Sequence, residues 1–218
     1  MKILKKSKHR SVKNPQEERA QSIDHVAIFG YADALVRGNL YKSVFEVSKR
    51  LAEAGYTVID GGGPGVMRAA TAGAKEVGGK VIAVTLHPHD MPNFEGRDPK
   101  NEFDKEIITN TYVQRTLKLM DEGQIYVIFN GGTGTVSEFG MAWGLARLNY
   151  GHHKPLILYG KFWHKIMKAF KESMLLRPEE LKVYKIVEHP DEVLLAIKEF
   201  EEEIYKGHHG EHLKTTKN

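Results

Sequence analysis

Short apolar runs alternate with longer amphipathic stretches along this 218-residue chain, and the alternation sets the expected elements. His25–Gly30 (HVAIFG) is apolar throughout and ends in glycine, the pattern of a strand buried on both faces. Between Tyr41 and Ala54, the residues Val44, Val47, Leu51 and Ala54 fall on one helical face, and Gly55 ends that helix. Tyr56–Asp60 (YTVID) predicts a second strand, Gly65–Val77 a helix of small residues, and Lys80–Leu86 a third strand. Residues 87–103 show no period and read as a long loop, which inside a compact domain is often functional. Glu106–Thr109 predicts a short strand, Thr111–Glu122 a helix, and Gln124–Phe129 (QIYVIF) a central strand. A helix to about Asn149 follows, then a strand at Pro155–Tyr159 and a helix from Phe162 to about Leu176. Pro178 begins a break, Lys182–Val187 is the last strand and Pro190–Tyr205 the last helix. A short helix is also expected around Pro15–Ser22.

Strands alternating with helices predict one α/β domain over residues 25–205: a Rossmann-like, doubly wound parallel sheet in three αβα layers. Such sheets bind ligands at the carboxyl ends of their strands, near the point where strand order reverses. Every glycine-rich segment here comes directly after a predicted strand, so all of them belong to that edge.

Charge changes this picture only at the ends. The formal net charge is +4, yet residues 15–205 hold 23 bases against 27 acids. Residues 1–14 carry six bases and no acid, and residues 206–218 add Lys206, Lys214 and Lys217 against Glu211. Residues 1–24 and 206–218 are therefore expected to be a basic flexible arm and a flexible tail. A core of charge −4 makes nucleic acid an unexpected partner. The absence of Cys excludes disulfides, thiolate nucleophiles and Cys-based metal sites. No apolar run approaches the roughly 20 residues needed to cross a bilayer, and the basic N-terminus lacks the apolar stretch of a signal peptide. A soluble, cytoplasmic protein without a membrane partner is expected.

The strongest chemical signal is Gly131-Gly132-Thr133-Gly134-Thr135-Val136-Ser137-Glu138, between an apolar strand and a helix. Glycines let the backbone approach an anion closely, and N–H groups at a positive helix N-terminus suit a phosphate. Thr135 is expected to cap the helix or donate its hydroxyl, with Glu138 in the first turn facing the same edge. A plain glycine-rich turn with Glu138 as a capping carboxylate is the alternative. No Lys-Ser/Thr pair follows these glycines, so this is not a Walker A loop. The second signal, Gly61-Gly62-Gly63-Pro64-Gly65-Val66-Met67, again joins a strand to a helix, without the spacing of the dinucleotide fingerprint. It reads either as tight strand–helix packing or as part of a ligand site. Two such loops on one edge favour a nucleotide-sized ligand.

From His25 to about Pro155 the chain resembles the Lonely Guy (cytokinin-activating) phosphoribohydrolases, once labelled lysine decarboxylases. Their PGGxGTxxE hallmark is matched by Asn130–Glu138, with Asn130 in place of Pro. Fifteen residues before that Pro position, Arg115 stands where the family has Arg, followed by Thr116 where Lys is usual. Bacterial GGGPGIMEAA is matched by GGGPGVMRAA, with Arg68 in place of Glu. The segments Gly79–Val84, Met91–Phe94 and Gly151–Pro155 also look familial. The resemblance implies hydrolysis of the N-glycosidic bond of a nucleoside 5′-monophosphate, releasing base and ribose 5-phosphate. It implies Arg115 and Glu138 as catalytic residues and Gly131, Gly132, Thr133, Gly134 and Thr135 as the phosphate loop. Gly30, Gly62, Gly63, Gly65, Met67 and Arg68 would complete the nucleotide site. No metal, no cofactor and a homodimer are implied.

Glu138 would stabilise an oxocarbenium-like sugar or orient water, and Arg115 would hold Glu138 or a substrate oxygen in register. Arg68 is expected to compensate in part for the cation lost at Thr116, or to shift the ligand towards something more anionic. Thr116 and Asn130 favour the alternative, a non-hydrolytic nucleotide or molybdenum-cofactor carrier of the same fold. A nucleic-acid-associated protein using its basic arm is a third reading. His87, His89 and Asp90 read as a polar loop rather than a metal site, and His208, His209 and His212 as adventitious ligands in the tail. Phe94 is a candidate base contact, Trp143 and Met141 are core or interface residues, and Lys80 and Lys154 lack a pyridoxal-phosphate context.

Overall fold

The computed structural model describes residues 23–87, 91–151 and 153–215, with the backbone alone at 205 and 207–215. The expected short helix at Pro15–Ser22 lies outside the described residues. The seven strands are β1 His25–Phe29, β2 Thr57–Asp60, β3 Val81–Leu86, β4 Lys105–Thr109, β5 Ile125–Ile128, β6 Leu156–Tyr159 and β7 Tyr184–Val187. The α-helices among the described residues are α1 Asn39–Glu53, α2 Val66–Glu76, α3 Tyr112–Glu122, α4 Thr133–Leu148, α5 Phe162–Ser173 and α6 Pro190–Thr215. A 3-10 turn at Pro178–Leu181 occupies the break expected after Pro178, and α6 continues ten residues beyond the end of its apolar period at Tyr205.

All pairings are parallel, in the order β4-β3-β2-β1-β5-β6-β7. The doubly wound α/β sheet expected from the alternation is thus the observed fold. Its strands explain the apolar runs: alternate residues serve opposite faces, so both parities must be hydrophobic. Val26 and Ile28 of β1 join Val44, Val47 and Leu51 of α1, Ala69 and Ala70 of α2, and Ile197 and Phe200 of α6 in one core layer. Ala27 and Phe29 join Leu119 of α3, Phe139 and Ala142 of α4, and Trp163 and Met167 of α5 in the other. Trp143 stacks on Phe139 with ring centroids 5.2 Å apart, and Met141 packs against the same layer, as their core reading expected.

Strand order reverses at β1, which pairs with β2 on one side and β5 on the other. The exits of β1, β2 and β5 therefore share one edge at the crevice where open α/β sheets hold ligands. Tyr31, just past β1, ties the two glycine loops together. Its N–H donates to the Asn130 carbonyl at 3.0 Å, and its own carbonyl accepts from the Val66 N–H at 3.0 Å.

Candidate functional site

A cleft of about 250 Å³ opens at this edge, near the lower end of small-molecule sites. It is lined by Ile28 and Phe29 at the end of β1 with Gly30 just beyond, and by the α4 N-terminus (Gly132, Thr133, Gly134 and Thr135, with Glu138). Gly61 and Met67 form the opposite side, Tyr112, Arg115 and Leu119 come from α3, and Phe94, Glu95 and Gly96 from the long loop.

Helix α4 begins with Gly132 at its N-cap, and no side chain caps it. The N–H groups of Thr133, Gly134 and Thr135 belong to the helix's unpaired first turn; Val136 is the first to bond back, to the Gly132 carbonyl at 3.0 Å. Thr135 is therefore not the cap that its position suggested. It is the third helical residue and buried, and its hydroxyl fills the space where a Cβ at Gly131 would stand. Glu138 is not in the first turn either. As the sixth residue of α4 it lies one turn in, three residues after Thr135 on the same buried face.

Glu138 is 7% exposed. Burial pushes its carboxyl up to about 7, and the Arg115 charge pulls in the opposite direction. Arg115 is 5% exposed and held by backbone rather than by acids. Its Nε donates to the Val84 carbonyl of β3 at 3.0 Å, and its Nη2 to the Gly61 carbonyl at 3.0 Å. The Phe94 ring lies 5.7 Å from the guanidinium carbon. Among the described residues Arg115 makes no ion pair within 4.0 Å, and its Nη1 has no hydrogen-bond partner. The direct Arg115–Glu138 hold that the sequence suggested is absent; the two are coupled through space.

Not every expected nucleotide-site residue reaches the cleft. Gly30 and Met67 line it, whereas Gly62, Gly63, Gly65, Arg68 and Gly131 do not. Arg68 points instead to Asp98 of the long loop, 3.9 Å away. Thr116 is buried, with its hydroxyl donating to the Tyr112 carbonyl at 3.1 Å, and Asn130 contributes its carbonyl to Tyr31. The three departures from the Lonely Guy pattern thus lie off the cleft lining.

Sequence reasoning missed several contributors. Asp60 ends β2 with 0% exposure and accepts from the Gly62 N–H at 2.7 Å and the Thr71 hydroxyl at 2.8 Å. Burial pushes its carboxyl up to about 6. An acid directly before a glycine run, at the end of an apolar strand, was the signal. Asn101 is buried and donates to the carbonyls of Gly62 and Gly63 at 3.0 and 2.8 Å, stitching the long loop over the first glycine loop. No pattern marked it. Tyr31, Glu95 and Tyr112 complete the rim, with the Tyr112 hydroxyl 3.1 Å from Ser137 Oγ. Among the described residues no three His, Asp or Glu side chains gather to hold a metal, and no helix is long and apolar enough to cross a membrane. His89 and Asp90 lie outside the described residues, as do the side chains of His208, His209 and His212.

Fold and cleft define an α/β protein with a ligand crevice at the switch point of a seven-stranded parallel sheet. The chain belongs to the SLOG cluster4 family, whose model matches residues 24–183. It is 31% identical over 102 residues to an uncharacterized protein of Archaeoglobus fulgidus, covering 47% of this chain and 63% of that one. It is 29% identical over 120 residues to the cytokinin riboside 5′-monophosphate phosphoribohydrolase of Mycobacterium tuberculosis, covering 55% of this chain and 62% of that one. The chain thus spans about three fifths of the length of the curated relatives it matches. Among solved structures, the molybdenum cofactor binding protein of Rippkaea orientalis superimposes with a TM-score of 0.60 at 21% identity, over 82% of this chain and 97% of that one. That likeness is one of fold.

Proposed function

We propose that the cleft binds a nucleoside 5′-monophosphate and that the chain hydrolyses its N-glycosidic bond. The observation that carries this reading is a buried Arg115 and a buried Glu138 in a cleft whose wall is an open helix N-terminus. The N–H groups of Thr133, Gly134 and Thr135, with the positive end of α4, take the phosphate oxygens. Phosphate binding then holds the sugar in place over Glu138. As the C1′–N bond breaks, its electron pair leaves with the base and positive charge spreads over C1′ and the ring oxygen. Ionised Glu138 stabilises that charge and orients the water that attacks C1′, giving ribose 5-phosphate and, after protonation, the free base. Arg115 keeps two N–H groups on Nη1 for substrate oxygens and holds part of the Glu138 population ionised.

Distant relation to a phosphoribohydrolase supports the hydrolytic reading. Incubating the protein with AMP and measuring free adenine tests it, with Glu138→Ala as the control. Release of no base from any of several monophosphates removes hydrolysis. Binding of the nucleotide without release would instead support a non-hydrolytic carrier, the reading favoured by an Arg115 that does not touch Glu138. The homodimer implied by the Lonely Guy resemblance belongs to the same proposal, and light scattering of the pure protein checks it.

A further inference from the structure

Asp60 is a charged group in a place where charge is costly. It is fully buried, and among the described residues no cation comes within 4.0 Å of it. Each carboxylate oxygen has one donor, the Gly62 N–H at 2.7 Å and the Thr71 hydroxyl at 2.8 Å. It does not line the cleft, so it cannot touch substrate.

One peptide group explains why an acid stands there. The Gly62 N–H that donates to Asp60 and the Gly61 carbonyl that accepts from Arg115 Nη2 are the two ends of the same peptide bond. The connection runs from carboxylate to N–H, through the peptide to its carbonyl, and on to the guanidinium. A negative charge at the N–H end polarises the peptide and strengthens the bond its oxygen accepts. Glycines are required on both sides. A Cβ at Gly61 would overlap Arg115 Nη2, and Gly62 has a φ of +71° and would set a Cβ 2.6 Å from Thr85 Cγ2. Arg115 is thereby aimed without any acid touching it, and its Nη1 is left to the cleft.

We propose that Asp60 is a positioning residue that orients Arg115 through the Gly61–Gly62 peptide. The proposal rests on the phosphoribohydrolase reading for its consequence in catalysis, and on geometry alone for its effect on Arg115. Asp60→Asn keeps the volume and an oxygen for the Gly62 N–H but removes the charge. In ligand-free, 15N-labelled protein, the Arg115 Nη2 protons should be resolved and slow to exchange in the wild type. Asp60→Asn should make that exchange at least about tenfold faster, because a less polarised Gly61 carbonyl holds the Nη2 protons more weakly. With AMP, kcat should fall by about 10- to 100-fold, the usual cost of losing a partner that orients a site residue, while KM stays within about threefold. Thr71→Ser, which keeps a hydroxyl donor for Asp60 but removes a buried methyl, should lower Tm and leave the Arg115 protons protected. If Asp60→Asn fails to fold, Asp60→Ser is read in its place. Unchanged Arg115 protection in the Asp60 variant, or equal loosening in Thr71→Ser, overturns the relay. A wild type that releases no base removes the catalytic consequence alone, because the proton-exchange experiment needs no substrate.

Discussion

The two glycine loops look like repeats of one idea, yet they are built for opposite purposes. The loop after β2 is closed. Its glycines at 61, 62 and 63 are buried, and its carbonyls are taken by Arg115, Asn101 and the Asp98 N–H. Gly65 has a φ of +61°, and any Cβ there would overlap the carbonyls of Ala32 and Tyr31. The loop after β5 is closed only at Gly131, against Thr135, and open from Gly132 onward. A Cβ at Gly132 meets nothing within 4 Å, and one at Gly134 meets only the Tyr112 hydroxyl at 3.4 Å. The first loop uses glycine so that protein can come close, and its product is a placed arginine. The second uses glycine to bare the N–H groups of α4. A glycine count cannot tell these apart; what occupies the space beside each α-carbon can.

The sharpest challenge to this division is Glu138→Gln, which should lower base release by about 10²- to 10⁴-fold, the range for a lost acid–base group. Next is Gly61→Ala. The new methyl must displace Arg115 Nη2, so loss of stability of about 1–3 kcal/mol is expected by thermal melt, with activity down at least about tenfold. Gly132→Ala should shift Tm little, since the site is open and its φ of −92° suits any residue; a large loss would break the comparison.

Two further measurements probe the charged groups. The folded pKa of Glu138 lies above its ordinary value of 4.5, at about 7. Between those values the folded state holds a proton that the unfolded chain has released, so wild-type stability falls as pH rises through the window. Glu138→Gln should remove that loss. The variant should match the wild type near pH 4.5 and exceed it above pH 7, by an amount on the order of 2–3 kcal/mol in urea titrations. Activity has the opposite sign: base release should rise with pH through about 7 as the carboxylate forms. Last, Arg68→Ala should leave nucleotide affinity within about twofold and cost no more than about 1 kcal/mol, because Arg68 loses only a partly exposed pair with Asp98. A large drop in affinity would return Arg68 to the site.

Much of the fold was legible because hydrophobic period is local. Among the described residues, the strands and helices stand where the periods put them. Ends moved by a residue or two, and more at the start of α4, which begins inside the glycine loop, and at the ends of α5 and α6, where helical backbone stops or continues without an apolar signal. The candidate site was legible in part. Glu138 and residues 132–135 were marked by a contiguous motif and lie together. Arg115 was marked by resemblance; its spacing alone described an ordinary exposed helix position. Asp60 and Asn101 were passed over because one residue in a strand end or a loop carries no period.

Neighbours a few positions apart were enough for the α/β alternation, the parallel sheet and the edge at which the cleft opens. Only tertiary structure decided which glycine loop is closed, that Arg115 is buried and held by carbonyls, and that Asp60 reaches it through one peptide. Those facts depend on contacts such as that between Arg115 and Gly61, 54 residues apart, and on burial that exists only once both sheet faces are covered. Burial raises the cost of an unpaired charge and the strength of a paired one, so the properties of Glu138, Arg115 and Asp60 belong to the folded molecule.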